Sequence, residues 1–206
     1  ISALVVSHNH ADHCGAATTL LTQYKGAIDK VWLLDDPALM KSSFWKRVKK
    51  QLKEGELKLS QIVRLEVAEK PKIIYKSQSV ELKAFSTTAG ENLLAKEAKK
   101  TNATSAVISL AVGKKRLVFA GDSQISQWQQ IRERIGKTLA CDVLAIPHHG
   151  GSLAQQSPAE LNWLFSEAVL TTTAVLSVGS RNSHGHPTLE AIMAIRASGA
   201  KILCTE

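Results

Sequence analysis

All seven histidines of this 206-residue chain fall within three short clusters. The clusters are His8, His10 and His13, then His148 and His149, and finally His184 and His186. Imidazole is the commonest metal ligand among side chains, and its combination with carboxylate at close spacing is typical of metal sites rather than of core packing. The histidine pattern therefore predicts a metal site.

The first cluster carries four potential ligands within six positions: His8, His10, Asp12 and His13. If the preceding strand runs on, His8 and His10 point to the same side, and Asp12 and His13 face a neighbouring point as the chain turns. This spacing suits two ions close together, with two of these side chains holding each ion. Gly15 then permits a tight turn into a helix whose N-terminus faces the site.

Two further segments supply ligands for such a site. Asp122 follows a predicted buried strand in a Gly-Asp pair, and its carboxylate provides the anionic bridge that two neighbouring dications need. His148 and His149 are adjacent and point in different directions, so one can bind metal while the other faces substrate or water. We assign His148 to the metal and His149 to the substrate side.

The third histidine cluster lies in a glycine-containing polar loop that leads into a predicted helix. Such a loop suits contact with a phosphate or a leaving group, and its candidate residues are Asn182, His184 and His186. An ordinary helix-capping loop remains the alternative for His184.

The polar clusters follow apolar, β-branched runs that are long enough for buried strands. These runs span residues 3–6, 116–120, 142–146 and 174–178. Helices are predicted at 16–24, at 36–53, at 123–139, from Ser157-Pro158, and from Pro187 to Gly199, with short strands and turns over 60–119 and a last strand at 202–206. Because ligands gather beyond the carboxyl ends of strands in layered α/β folds, the sequence predicts such a fold with its chemistry at one sheet edge.

The composition, with 44% hydrophobic and 21% charged residues, predicts one globular domain over residues 1–206. No apolar run approaches the roughly 20 residues that span a bilayer, and no signal peptide is recognisable, so we expect a soluble domain. The absence of an initiator Met and the start inside an apolar run indicate a fragment of a longer chain. Cys14, Cys141 and Cys204 are odd in number and lack zinc-knuckle spacing, so they are predicted to be buried thiols.

The net charge of +8 comes from 26 Lys and Arg against 18 Asp and Glu, with the excess in the first half. The basic runs lie within 46–53, 70–76, 96–100 and 114–116. Such charge favours a polyanionic partner such as DNA, although lysines that merely solvate helix faces and turns would give the same pattern.

Four motifs together resemble the metallo-β-lactamase superfamily. They are the His-x-His-x-Asp-His-x-Gly run that starts at His8, the Gly-Asp pair at 121–122, Ile-Pro-His-His-Gly-Gly at 146–151, and Ser-Val-Gly-Ser-Arg-Asn-Ser-His-Gly-His-Pro at 177–187. The combination looks like the C-terminal hydrolase domain of ComEC-type DNA-uptake channels of natural competence. The resemblance implies an αββα sandwich of two mixed sheets with a dinuclear site at one edge. The family usually has two or three strands before the first motif, so the fold is expected to lack its first strands.

The resemblance also implies a ligand set. His8 and His10 would bind the first ion, Asp12, His13 and His148 the second, and Asp122 would bridge them. Many members carry one more histidine before the Gly-Asp strand, and Asn102 stands in the corresponding region. An amide oxygen is a poor ligand for a soft-leaning ion, so Mn²⁺ is as plausible as Zn²⁺ for the two divalent ions.

These features predict a metal-dependent phosphodiesterase, specifically a DNA nuclease in which a hydroxide activated by two ions attacks phosphorus. The predicted catalytic residues are Asp12, His149 and His186, with Asn102, Asn182 and His184 at the substrate. The resemblance implies a parent protein embedded in a bacterial inner membrane, with this soluble domain on its periplasmic face. The alternatives are a hydrolase of small esters or phosphodiesters like a phosphorylcholine esterase, a β-lactam hydrolase, which Asn102 disfavours, and a non-catalytic DNA-binding module.

Overall fold

Two β-sheets lie between two layers of helices in the computed structural model, which describes residues 1–8, 10–34, 42–85, 87–97, 101–153, 156–179 and 181–205. The predictions that concern Asn9, the helix start at Asp36-Pro37, Lys99, Lys100, Ser180 and Glu206 fall outside these residues.

The strands found in the described residues are β1 (Leu4–Val5), β2 (Val31–Leu33), β3 (Ile62–Arg64), β4 (Lys72–Lys76), β5 (Val80–Ala84), β6 (Ile108–Val112), β7 (Lys115–Phe119), β8 (Leu139–Ala145), β9 (Val169–Leu176) and β10 (Lys201–Cys204). The α-helices are α1 (Ala11–Gln23), α2 (Ser43–Lys53), α3 (Ala89–Glu97), α4 (Ile125–Ile135), α5 (Pro158–Trp163) and α6 (Leu189–Ala197). A short π-helical segment, Leu164–Ala168, continues α5. No helix in the described part of the chain is both long and apolar enough to traverse a bilayer.

One sheet has three parallel strands in the order β1-β2-β3, and the other has seven in the order β10-β9-β8-β7-β6-β5-β4. In the larger sheet β7, β8, β9 and β10 are parallel, whereas β4, β5, β6 and β7 pair antiparallel. Both the α/β class and the two-sheet sandwich that the motifs imply are confirmed.

Three apolar clusters separate the layers. Trp32, Ala84 and Ile108 belong to the cluster between the two sheets. A second cluster packs α1 and α2 on the outer face of the small sheet, and a third packs α4, α5 and α6 on the outer face of the large sheet. The order of layers is therefore helix, sheet, sheet, helix.

The helix ends are set by local sequence. Ser157 and Thr188 accept hydrogen bonds from the backbone N–H groups three residues on, at 3.2 and 3.3 Å, and so cap α5 and α6. Helix α4 ends at Gly136, whose φ of +67° suits glycine, so it stops before the predicted Leu139, which instead begins β8. Helix α3 was not predicted, although its capping box could have revealed it. The backbone N–H of Thr88 donates to the Glu91 carboxylate, and the backbone N–H of Glu91 donates to the Thr88 hydroxyl.

Helix α1 begins five residues before the predicted start at Ala16, while β1 already ends at Val5. Asp12 and His13 therefore lie in the first turn of a helix, and the expectation of a continued strand through the first cluster is wrong. The prediction of buried thiols holds for Cys14 and Cys141, but Cys204 is exposed because it lies on the edge strand β10.

Trp128 is the largest side chain that is fully buried under the large sheet, and its Nε1 donates to Ser123 Oγ at 2.9 Å. We expect Trp128→Ala to lower the free energy of unfolding by about 3–5 kcal/mol, since it leaves a cavity and an unpaired hydroxyl. Urea unfolding measures the change. The control is Gln129→Ala, an exposed neighbour on the same helix, for which a change within about 0.5 kcal/mol is expected.

Candidate metal centre

The carboxylate of Asp122 lies at the centre of the site. Asp122 follows β7 and is 2% exposed. Its backbone N–H donates to Ser105 Oγ at 2.9 Å. The preceding Gly121 has a φ of +53°, and a Cβ there would overlap Ser105 Oγ, so only glycine fits the turn that delivers Asp122.

Sheet topology brings the other segments to the same edge. Strand β8 is parallel to β7, so its C-terminal loop lies beside Gly121, and the N–H of His148 donates to Gly121 O at 2.8 Å. Strand β6 is antiparallel to β7, so the residues before it, including Ser105, also lie there. The backbone N–H of Ala106 donates to Ser7 O at 3.0 Å and joins the first histidine cluster to this edge.

Three imidazoles face one oxygen of Asp122. His8 Nε2 lies 3.3 Å from Asp122 Oδ2, His10 Nδ1 lies 3.4 Å from it, and His148 Nε2 lies 3.9 Å from it. These contacts come from two different chain segments, the residues after β1 and the loop after β8.

Two further imidazoles face the other oxygen. His13 Nε2 lies 2.9 Å and His149 Nε2 3.8 Å from Asp122 Oδ1. Asp12 Oδ2 completes this side, at 3.3 Å from His13 Nε2 and 3.1 Å from His149 Nε2. All six side chains predicted as metal ligands are therefore brought together, and His149, which was predicted to face substrate, lies among them.

The donor set fits divalent ions. Two ligands bound tetrahedrally at zinc–nitrogen distances are about 3.3 Å apart, close to several of the separations around Asp122. His8 Nε2, His13 Nε2 and Asp122 Oδ1 are buried, and none has a hydrogen bond of acceptable geometry to any described residue. Buried polar atoms of this kind are normally satisfied, so an ion is the natural partner for all three.

The outer nitrogens of the imidazoles are held by protein oxygens. His148 Nδ1 lies 2.8 Å from Ser152 O and His149 Nδ1 lies 2.7 Å from Ser177 O. A carbonyl can only accept, so each Nδ1 carries a proton, and Nε2 is the ring nitrogen left to bind a metal. Both Nε2 atoms face Asp122, as metal ligands would.

Electrostatics keeps Asp122 and His8 in the forms that bind cations, whereas it favours the protonated form of His13. Burial would raise the pKa of Asp122, but contacts with His13 and His8 outweigh it and hold this pKa far below its usual range. Burial lowers the pKa of His8, more than the Asp122 contact raises it. His13 is also desolvated, yet Asp122 dominates and raises its pKa. Asp122 is thus ionised and the His8 ring favours its neutral form.

The centre opens into a cleft of about 540 Å³. It is lined by the ligand residues His10, Asp12, Asp122, His148 and His149, and also by Ser177, Val178, Gly179, Asn182, His184 and His186. The loop predicted to contact substrate therefore does face the ligand cluster.

His186 is the histidine of this loop that lies beside the ligands, with its ring centroid 5.0 Å from that of His148. The ring packs directly on Gly151, where a Cβ would overlap it. Burial lowers the pKa of His186, and the neighbouring His148 and His149 lower it further. His184 is exposed, and its ring is 5.7 Å from that of His186.

Asn182 borders the cleft, and its side chain also makes hydrogen bonds within its own loop. Its Nδ2 donates to Gly179 O at 2.9 Å and to His186 O at 2.8 Å, and its Oδ1 accepts from the N–H of His186 at 2.9 Å. Both amide hydrogens are thus used to hold the loop that carries His186. Asn102 lies beside a ligand rather than on the substrate side, since its Nδ2 is 3.4 Å from His148 Nε2.

Ser105 is the site residue that the sequence did not reveal, because a serine before a strand carries no distinctive signal. Its Oγ accepts from the N–H of Asp122 and lies 3.2 Å from His8 Nδ1. We expect Ser105→Ala to weaken metal binding by about 10–100-fold, as losses of such supporting contacts do. Isothermal titration of the metal-free chain with Zn²⁺ measures this. An affinity equal to that of the wild type would contradict the supporting role.

Comparison with known proteins places these features in a family. The chain is 30% identical over 105 residues to Competence protein ComA of Neisseria gonorrhoeae, a match that covers 51% of this chain and 14% of that protein. Among solved structures, the CmlA β-hydroxylase E377D mutant superimposes with a TM-score of 0.56 at 13% identity, over 100% of this chain and 43% of that one. Human tRNase Z, short form, covers 100% of this chain and 76% of its own at 11% identity, with a TM-score of 0.46.

The structural likeness shows the fold alone, and the first of these solved proteins is a β-hydroxylase, so the fold by itself does not define the reaction. The model of the metallo-β-lactamase superfamily matches residues 1–169, which hold Asp122 and the first two histidine clusters. With the layer order and the ligand cluster described above, this match shows that the chain belongs to the metallo-β-lactamase superfamily.

Proposed function

We propose that this chain is a two-metal phosphodiesterase that cleaves DNA. The observation that carries the proposal is the convergence of five imidazoles and Asp12 on the single buried carboxylate of Asp122, at the floor of an open cleft. Zn²⁺ and Mn²⁺ both suit this donor set. Two such ions, when bound, supply a hydroxide at neutral pH and neutralise charge that develops on a phosphoryl group.

The protein side chains account for the remaining needs of hydrolysis. The side chain of Asp12 contacts His13 but is 58% exposed, so it also faces the cleft. There it can orient a water molecule. His186 borders the cleft, and its lowered pKa favours the neutral ring, which donates an N–H to a phosphate or leaving oxygen. Asn182 holds the His186 backbone, so the ring is placed before substrate binds.

DNA is favoured as the substrate by the net charge of +8 and by the likeness to a competence protein. Two of the basic runs that the sequence analysis connected with DNA lie away from the cleft. Residues 114–116 lie at the start of β7, about 16 Å along the strand from its Asp122 end, so this run does not border the cleft. The run on α2 lies in the outer helix layer on the small sheet. No Lys or Arg is among the described residues that line the cleft, so we propose that attraction of DNA rests on the overall charge.

The same relative supports a proposal for the cellular setting. Because this chain spans 14% of that competence protein, we propose that it acts as the hydrolytic domain of a longer protein embedded in a bacterial inner membrane. There the domain would lie on the periplasmic face and degrade or grip the strand that is not imported. Its boundaries, 1–206, remain part of the proposal.

Two other functions use the same centre. A small ester or phosphodiester, of the phosphorylcholine type, fits the cleft, and this alternative is favoured because no Lys or Arg is among the described residues that line it. A non-catalytic DNA-binding module would keep the fold, but it would not require histidine rings with proton positions fixed by Ser152 and Ser177.

The test is a cleavage assay of the purified chain with end-labelled single-stranded and duplex DNA, in Mn²⁺ or Zn²⁺. The proposal predicts cleavage that EDTA abolishes and that Asp12→Ala loses. Parallel assays use p-nitrophenyl phosphorylcholine and a β-lactam. Turnover of the choline ester with intact DNA would favour the small-substrate hydrolase, whereas bound but uncleaved DNA under saturating metal would favour the binding module.

A further inference from the structure

The two adjacent histidines after β8 are directed to opposite oxygens of Asp122. We infer that His148 completes the ion-binding group of His8 and His10, and that His149 completes the group of Asp12 and His13. The inference rests on the metal site of the proposed function. It reverses the sequence interpretation, which grouped His148 with Asp12 and His13 and gave His149 to the substrate.

The contacts of the imidazoles divide between the two carboxylate oxygens. His148 Nε2 approaches Oδ2, as His8 and His10 do, whereas His149 Nε2 approaches Oδ1 and lies 3.1 Å from Asp12 Oδ2. His13 lies within reach of both groups, but its shortest contact, 2.9 Å, is to Oδ1. A bridging carboxylate gives one oxygen to each ion, so the two oxygens define the two groups.

The backbone after β8 makes this division possible. His148 and His149 have φ angles of 50° and 55°, so two consecutive residues other than glycine adopt the left-handed region. That conformation is costly for such residues and persists only where surrounding contacts enforce it. Here the His148 N–H donates to Gly121 O, the Gly151 N–H donates to His148 O, and both rings are tied through Nδ1. A strand would point the two rings to opposite faces of the sheet, whereas this turn points both toward Asp122.

The position of Asn102 supports the same division. The His148 Nε2 atom lies 3.4 Å from Asn102 Nδ2, so the His148 ring lies directly beside the Asn102 side chain. While His148 Nε2 binds an ion, that nitrogen cannot also accept from the Asn102 amide. Asn102 is therefore dispensable for metal binding, and the nitrogen that His148 supplies makes up the first group.

This division gives the two groups different chemistry. One has three imidazoles and a carboxylate oxygen, and the other has two imidazoles and two carboxylate oxygens. Softer, nitrogen-rich ligation favours Zn²⁺, and added carboxylate favours Mn²⁺. The His148 group is thus the more selective for Zn²⁺. Because nitrogen and oxygen ligands generally bind Zn²⁺ more tightly than Mn²⁺, a chain given one equivalent of Zn²⁺ and an excess of Mn²⁺ would hold one of each, with Zn²⁺ in the His148 group.

The experiment counts ions by equilibrium dialysis and elemental mass spectrometry, with Zn²⁺ and Mn²⁺ supplied separately and together. The variants are His148→Gly and His149→Gly, because glycine adopts positive φ freely and the turn is not strained by the change. Each is combined with His10→Ala. Circular dichroism confirms folding, and His184→Ala removes an imidazole that lies outside both groups.

The wild type should bind two ions and His184→Ala should bind two. The single variant His148→Gly should retain one ion. The double variant His10→Ala/His148→Gly should also retain one, because both changes fall in the same group. The double variant His10→Ala/His149→Gly should retain none, because each change removes a ligand from a different group. Asn102→Ala should keep both ions, and His148→Gly should lose Zn²⁺ rather than Mn²⁺ from the mixed-metal chain. The division would be overturned if the double variant His10→Ala/His148→Gly lost both ions, or if Asn102→Ala lost one ion.

These counts do not depend on catalysis. A chain that shows this pattern but leaves DNA intact would disprove the proposed nuclease and keep the division. A chain that cleaves DNA with the opposite pattern would keep the nuclease and disprove the division. A wild type that binds no ions would overturn both.

Discussion

Asp122→Asn should abolish cleavage and lower metal affinity by more than about 100-fold, since losing even an outer partner of a ligand costs about 10–100-fold. The amide keeps the size of the side chain and the backbone N–H bond to Ser105, but it loses the negative charge. It also replaces one acceptor oxygen by a donor that faces imidazoles. Both ion-binding groups use this carboxylate, so neither should survive.

The measurements are metal content after dialysis and initial rates of DNA cleavage. Asp142→Asn is the matched control, because Asp142 is a strand aspartate that pairs with Lys115 at the opposite end of β7. It should retain both ions and full cleavage. An Asp122→Asn chain that loads two ions with wild-type affinity would show that the carboxylate is not the bridge.

Gly151→Ala should lower the rate constant for cleavage by about 100-fold or more while both ions remain bound, the scale of a lost acid–base or hydrogen-bonding group. A Cβ at residue 151 would overlap the ring of His186, and the backbone φ of −74° there is ordinary for alanine. The substitution therefore displaces His186 from the cleft without straining the turn. His186→Ala should cause a similar loss.

The two changes act on one ring, so Gly151→Ala combined with His186→Ala should be no slower than His186→Ala alone. Gly90→Ala, in an open position of α3, is the control for a glycine-to-alanine change and should leave cleavage unaltered. Additive losses, or loss of an ion from either single variant, would place His186 in another role.

Much of the fold could be predicted from the sequence because its signals are local. The runs before Asp122 and His148 form the predicted strands, β7 and β8, although β7 is not buried as predicted, since Phe119 is exposed and only Val118 is buried. The caps at Ser157 and Thr188 start the predicted helices. The prediction failed where a strand pattern was extended into the first cluster. Alternation suggested that the strand continued past His8, whereas the chain enters α1 at Ala11.

The sequence could also predict which side chains converge on Asp122, but not which of its oxygens each one faces. Residue type and cluster spacing identified His148 and Asp122. Which oxygen of Asp122 an imidazole faces depends on two positive φ angles, and nothing in the letters His-His before glycine encodes them. Asn182 gave a polar-loop signal that fits substrate contact, whereas its hydrogen bonds to the backbone of His186 could not be read from the sequence.

Two-ion cleavage of DNA is tested most directly by single-turnover cleavage of a 5′-labelled strand by metal-free chain as Mn²⁺ is added in half-equivalents. Free ions are buffered, and DNA binding is followed in the same samples by fluorescence anisotropy. A two-metal nuclease should give little product with one ion per chain, a steep rise as the second binds, and a plateau at two. Intact DNA, bound to chains that demonstrably carry two ions, would contradict this function.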